Sequence, residues 1–323
     1  ILGMLVGIGG GAFSGFMPST SYFFPRSKQG LALGLQAGIG NFGVSIVQFA
    51  TPWVIGFALI GGAEVMTNKA TGATKEVWFQ NAGYIWIPFV VVGAIVAFAL
   101  LRSVPVQARG LRDQLDIFGN RNTWLMTYLY VITFGTFSGL AGTFGLLIGN
   151  LFGTGKFGEQ GIDPLTYAFL GALVGSVVRI IAGPFADRFG GAPLTLISTI
   201  GIAGAALFSA FQVNPSSVDQ FPVFLAGMLA IFFFAGIGNA STFKQMPMLF
   251  ERRQAGGVIG WTAAIAAYGP FIFGVLLAVL APQVFFLAGA LFATIGSVIT
   301  WVFFARPGAP VRTNPPEESP MAA

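Results

Sequence analysis

Nine stretches of this chain are nearly free of charge and, as helices, long enough to cross a bilayer, which leaves few folds open to it. A bilayer core about 30 Å thick needs about 20 apolar residues per helix. The stretches run from Ile1 to Phe24, Leu31 to Ile60, Tyr84 to Leu101, Thr123 to Phe152, Pro164 to Ala186, Ala192 to Phe211, Phe221 to Phe250, Gly256 to Leu280 and Val284 to Ala305. None is a cleavable signal, because the pattern fills the whole chain. With 55% hydrophobic and 8% charged residues and a mean hydropathy of +0.79, there is too little polar surface to clothe a water-soluble fold. The 46 glycines suit membrane helices, where small residues let backbones approach closely. The expected fold class is an all-α polytopic membrane protein.

Loop charges orient these spans. One alternate set of loops, with the C-terminal tail, holds Arg26, Lys28, Arg102, Arg109, Arg112, Arg121, Arg188, Arg252, Arg253, Arg306 and Arg312; the opposite set holds only Lys69, Lys75 and Lys156. The positive-inside rule puts the first set, and hence the C-terminus, in the cytoplasm. The net charge of +5 is scattered over short loops and forms no single basic face, so nucleic acid is not an expected partner. Zero cysteines and zero histidines exclude disulfides, zinc and iron–sulfur sites, and any triad built on those residues. No metal, cofactor or enzymatic activity is expected.

An ungapped shift of 226 residues sets like residues in register: Gly10 with Gly236, Phe24 with Phe250, Arg26 with Arg252, Gly30 with Gly256, Gly34 with Gly260, Ala37 with Ala263 and Gly43 with Gly269. Two homologous halves follow, and parallel six-helix repeats are the architecture of major facilitator carriers. The basic segment 102–122 becomes the cytoplasmic linker between them. Six spans follow it and three precede it, so the expectation is nine of twelve helices, numbers four to twelve, in a chain truncated at its N-terminus. Residues 1–101 then close the N-terminal half, 123–305 form the C-terminal half and 306–323 the cytoplasmic tail. Gly183, Asp187, Arg188 and Gly190, in GPFADRFGG, resemble the superfamily's loop signature. Its Asp and Arg can pin neighbouring helix ends through charge-assisted hydrogen bonds and helix-dipole contacts.

Two cations fall inside apolar spans. Arg179, in GALVGSVVRIIAGP, is permanently charged, and a guanidinium at that depth costs about 2.5–3.5 kcal/mol on insertion scales. Acidic residues map to loops, span ends or the tail, so the arginine either awaits an anionic ligand or bonds helix carbonyls. Lys244, in STFKQMP, is a secondary candidate that could equally snorkel outward, and Asn239 is another. Tyr130 and Phe134, four residues apart, share a helical face, where aromatic planes beside a guanidinium would suit a flat, delocalised anion.

The stretches GIGGGAFSGFMPSTSYFFPRSKQGLALGLQAGIGNFGVS, from Gly7, and GIGNASTFKQMPMLFERRQAGGVIGWTAAIAAYG, from Gly236, together with ITFGTFSGLAG and the arginine-bearing span, resemble the nitrate/nitrite porter family of the major facilitator superfamily. The resemblance implies a rocker-switch carrier in the bacterial inner membrane, working as a monomer, with one central anion site for nitrate and nitrite. It implies that Phe13 and Phe134 sandwich the anion, that Tyr130 and Asn41 are polar contacts, that Arg179 is a main charge clamp, and that Gly10 lines the site. Its glycine-rich signature matches Ala37, Gly38, Gly40, Asn41 and Gly43, with a looser counterpart from Thr262 to Gly269 that includes Ala263, Ala267 and Gly269. These small residues would let the halves pivot around the site. A second substrate arginine in the family's helix two would lie about 47 residues before Ile1 by the repeat offset, so transport is expected of a chain that includes it. With no mid-span acid or histidine to relay protons, nitrate/nitrite exchange is expected. Proton-coupled nitrate uptake, a carrier of another small anion such as formate, and a non-transporting membrane remnant are the alternatives.

Overall fold

The computed structural model describes residues 2–67, 72–102 and 114–309, with side chains from residue 11 onward. Helices dominate, as the apolar stretches dictate. They are α1 (Leu2–Phe23), α2 (Gln29–Val54), α3 (Ile87–Leu100), α4 (Arg121–Tyr130), α5 (Thr136–Phe152), α6 (Pro164–Phe189), α7 (Gly191–Ala210), α8 (Phe221–Leu249), α9 (Arg252–Ala266), α10 (Gly269–Val279) and α11 (Pro282–Thr300). Among the described residues, eight helical segments are long and apolar enough to cross a membrane. The 22-residue α1 spans about 33 Å at 1.5 Å per residue. Most of the segment 102–122, read as the linker, lies outside the described residues.

Helix ends follow local chemistry. Asp163 accepts the Leu165 amide at 3.0 Å and Pro164 opens α6, so an orphan N–H and a fixed φ start the helix. Gly190, at φ +89°, carries the chain from α6 into α7 through backbone that a side chain would strain. Outward faces are apolar: Phe98, Phe89 and Phe271 stand open in a bundle whose natural surround is lipid, and α3 buries none of its residues. Inside, phenylalanines fill the core, with Phe144, Phe152, Phe224 and Phe232 fully buried.

Three local features depart from the expected spans. The stretch 123–152 is not one regular helix, because Val131–Gly135 forms a π turn between α4 and α5. The stretch from Gly256 to Leu280 breaks between Ala266 and Gly269, where Pro270 has no amide to continue the ladder and Gly269 lies against the Gly135 carbonyl. The segment after α2, expected as plain loop, carries an antiparallel hairpin of β1 (Glu64–Thr67) and β2 (Thr74–Val77), with Glu64 opposite Val77 and Thr67 opposite Thr74.

The helices before residue 103 meet those after residue 113 along two seams, α1 against α9, where Gly256 lies on Tyr22 and Gly260 on Ser14, and α2 against α6. α2 and α6 run antiparallel and touch over most of their length, through Gly30, Gly34 and Gly38. A Cβ on Gly30 would come 2.5 Å from the Gly183 carbonyl oxygen, and one on Gly38 would come 2.5 Å from Ile180. Residues 30, 34 and 38 recur every four positions and form one face. Gly40 and Gly43, expected to allow close packing, lie off that face and have open space where a Cβ would sit. Farther along the seam, the Ser45 hydroxyl donates to the Phe169 carbonyl at 3.1 Å and the Gln48 amide to the Ala141 carbonyl at 2.8 Å.

Candidate functional site

Arg179 sits at mid-length of α6 and is fully buried. The π turn supplies its neighbours. An extra residue in that turn stacks the rings of Tyr130 and Phe134 nearly parallel, 5.2 Å apart and 5° from coplanar, and π turns recur at functional sites. Arg179 donates from Nη2 to the Tyr130 hydroxyl at 3.4 Å, a long hydrogen bond, and its guanidinium carbon lies 5.8 Å from the Phe134 ring. Phe13 of α1 stacks on the opposite face of the seam against Phe134, 5.3 Å away and 10° from coplanar.

The structure thus brings Arg179, Tyr130, Phe134 and Phe13 together. The Phe13 and Phe134 rings touch each other, leaving no gap between them for an ion; a sandwiched anion requires α1 to move. Phe243 of α8 completes the wall and had no individual signal in a chain with 35 phenylalanines. It stacks on Tyr130 at 4.4 Å and lies 5.1 Å from the Arg179 guanidinium.

Among the described residues, Arg179 Nε and Nη1 are buried without a hydrogen bond, as are Asn41 Nδ2, Ser176 Oγ and both side-chain atoms of Asn239, and single atoms elsewhere in the bundle such as Gln245 Oε1 and Trp261 Nε1. Buried polar groups in proteins are nearly always paired, so the unpaired charged donors of Arg179 in particular mark a place where a ligand or water is accommodated. The unpaired guanidinium donors are suited to an oxyanion, which accepts hydrogen bonds and offers none. Gly10 lies in α1 among residues whose side chains are outside the description. Ala263 is buried in α9, whereas Ala267 is exposed at the break after it, and Gly269 abuts the π turn.

Lys244 does not join this cluster. Its ammonium lies 2.7 Å from an Asp187 carboxylate oxygen and donates to the Arg26 carbonyl at 2.6 Å. Asp187 also accepts the amides of Gly30 at 2.8 Å and Leu31 at 2.7 Å, so one carboxylate caps α2 and neutralises a buried cation. Lys244, a secondary substrate candidate by sequence, is held instead by this pairing, which sequence could not show because the partner lies on another helix. Of the loop signature, Asp187 and Gly183 bind the helices together, while Arg188 is exposed and lies 5.2 Å from the Phe189 ring. Asp187→Asn would strand the Lys244 ammonium at a cost of about 3 kcal/mol or more. A lowered Tm is expected, with partial recovery when Lys244→Met is added; equal Tm values for all three proteins would show the pair to be idle.

At another helix junction, Asp116 accepts from Arg253 and from the Gln254 amide, and these bonds hold its carboxyl below the usual carboxylate range.

Membrane-length helices closed around a buried, under-partnered cation define an integral membrane transport protein, not an enzyme. The Major Facilitator Superfamily profile matches residues 1–263. The chain is 56% identical over 318 residues to the probable nitrate/nitrite antiporter NarK2 of Thermus thermophilus, covering 96% of this chain and 71% of that protein. It is 31% identical over 255 residues to the nitrate/nitrite transporter NarU of Escherichia coli, covering 78% of this chain and 53% of that one. The crystal structure of the E. coli fucose:proton symporter FucP shares the fold, with a TM-score of 0.62 at 13% identity over 89% of this chain and 72% of that one. The chain belongs to the nitrate/nitrite porter family of the major facilitator superfamily.

Proposed function

We propose that this chain belongs to a secondary carrier that exchanges nitrate for nitrite across the bacterial inner membrane by rocker-switch alternating access. The observation that carries the reading is Arg179: fully buried, its Nε and Nη1 without hydrogen-bond partners among the described residues, and walled by Tyr130, Phe134 and Phe243. A planar anion would take the parallel fork of Nε and the second Nη2 hydrogen as a bidentate pair and lie against the rings. The relatives named for nitrate and nitrite transport support this choice of anion. In this reading residues 1–101 belong to one half and 123–305 to the other, the C-terminus is cytoplasmic and the carrier works as a monomer.

Exchange is favoured over proton coupling because the acidic residues nearest the described spans, Asp163, Asp187, Asp219 and Glu251, lie at or beside helix ends. None is placed for a mid-membrane proton relay. The fixed cation keeps the empty carrier from reorienting, and a bound anion of either kind releases it. In proteoliposomes, nitrate uptake is expected to require nitrite inside and to ignore a pH gradient. Uptake driven by a pH gradient into nitrite-free vesicles would reject exchange.

A further inference from the structure

The side chain of Asn239 is fully buried in α8, and among the described residues neither its amide nitrogen nor its carbonyl oxygen has a hydrogen-bond partner. An amide with every polar atom unmet is a costly group to hold inside a helix bundle, and asparagine is a poor helix former. The contacts of its own helix locate it. Gly236, three residues before, abuts Gly175 and Val178 of α6, and a Cβ there would come 2.5 Å from the Gly175 carbonyl oxygen. Gly238 abuts Thr133 of the π turn, and Phe243, four residues after, lies against Tyr130 and the Arg179 guanidinium. Because α6 and α8 run parallel with Gly236 beside Gly175, Asn239 falls at the depth of Arg179, one turn along both helices.

The internal repeat points to the same position independently. The 226-residue offset that pairs Gly10 with Gly236 carries Phe13 onto Asn239. Phe13 is the residue of α1 that stacks on Phe134 beside Arg179. One half thus brings an aromatic ring to the site and the other brings a carboxamide at the equivalent place.

We propose that Asn239 is a specificity-determining substrate contact, its amide nitrogen donating a hydrogen bond to an oxygen of the planar oxyanion held by Arg179. Its carbonyl oxygen then accepts from Arg179 Nη1, which has no partner among the described residues. The two side chains would satisfy each other through the ligand. An anion with oxygens spread in a plane can reach both at once, whereas a spherical halide contacts one or the other. The inference rests on the anion-carrier reading above and adds the selection of oxyanion over halide.

The test uses the carrier in proteoliposomes, with nitrate flux competed by chloride, and wild type, Asn239→Leu and Asn239→Ser compared. Leucine has the branched shape and heavy-atom count of asparagine without its polar atoms; serine keeps a donor. Asn239→Leu is expected to raise the nitrate KM at least tenfold while leaving the chloride inhibition constant within twofold, so that the preference for nitrate collapses. Asn239→Ser should fall between, and it decides the matter alone if the leucine variant does not fold. An unchanged nitrate KM in whichever variant folds, or an equal loss for nitrate and chloride, overturns the assignment. Wild-type protein that moves no nitrate would instead overturn the function proposed above.

Discussion

Arg179→Gln is expected to weaken nitrate binding about a hundredfold and to abolish exchange at micromolar substrate. The substitution keeps a side chain of similar reach and removes the permanent charge. A charge-assisted bidentate contact in a dry site contributes about 3 kcal/mol, which is about two decades in affinity. A further effect acts in the opposite direction. The bundle itself should gain stability, because it no longer buries a cation whose Nε and Nη1 lack partners. A higher Tm with lost transport would therefore separate a binding role from a structural one. Arg179→Lys should fall between, since a lysine ammonium keeps the charge and loses the flat fork. Tracer flux and thermal unfolding of the three proteins check both halves of the expectation, and wild-type flux in the glutamine variant would remove the physical basis for an anion site here.

The second large effect is expected from Gly183→Ala. A Cβ at Gly183 would lie 2.5 Å from the Gly30 carbonyl oxygen, and both groups are backbone, so neither can turn aside. Overpacking of this kind costs about 1–3 kcal/mol, occasionally more. The cheapest relief is for α2 and α6 to part at that end. Gln29, 2% exposed and donating to the Ser21 and Phe24 carbonyls, lies beside this contact. Since the chain has no native cysteine, Gln29→Cys can report the separation by thiol labelling. Labelling should be slow in the otherwise unchanged protein and at least tenfold faster with Gly183→Ala added. Equal rates would mean that the seam tolerates a methyl group.

How much of this was legible in the sequence depends on whether a signal was local. The spans were, because twenty apolar residues in a row leave a bilayer helix as the main option. Arg179 was, because a guanidinium amid GALVGSVVRIIAGP has no local excuse. Tyr130 and Phe134 were paired correctly by their spacing of four, but the π turn that aligns their rings was not, since the β-branched residues and glycine of VITFG weaken a helix without specifying where an extra residue enters the turn. The hairpin escaped because its strands are four residues each. Lys244 looked like a lone cation, and its partner Asp187 is met only through the packing of α8 on α6. The glycine stripe was read only in part for a related reason: of the motif's Gly38, Gly40 and Gly43, Gly38 meets α6, and a spacing of four along α2 adds Gly30 and Gly34 to that face while Gly40 and Gly43 lie off it.

The seam between α2 and α6 is fastened unequally. At one end, parting the helices hands a carboxylate, an ammonium and two backbone amides back to water together. At the other, only the neutral bond of Ser45 to α6, and that of Gln48 to the neighbouring α5, must be given up. The molecule therefore has two unequal doors, and once a bound anion frees the halves to rock, the lightly fastened one costs less to open.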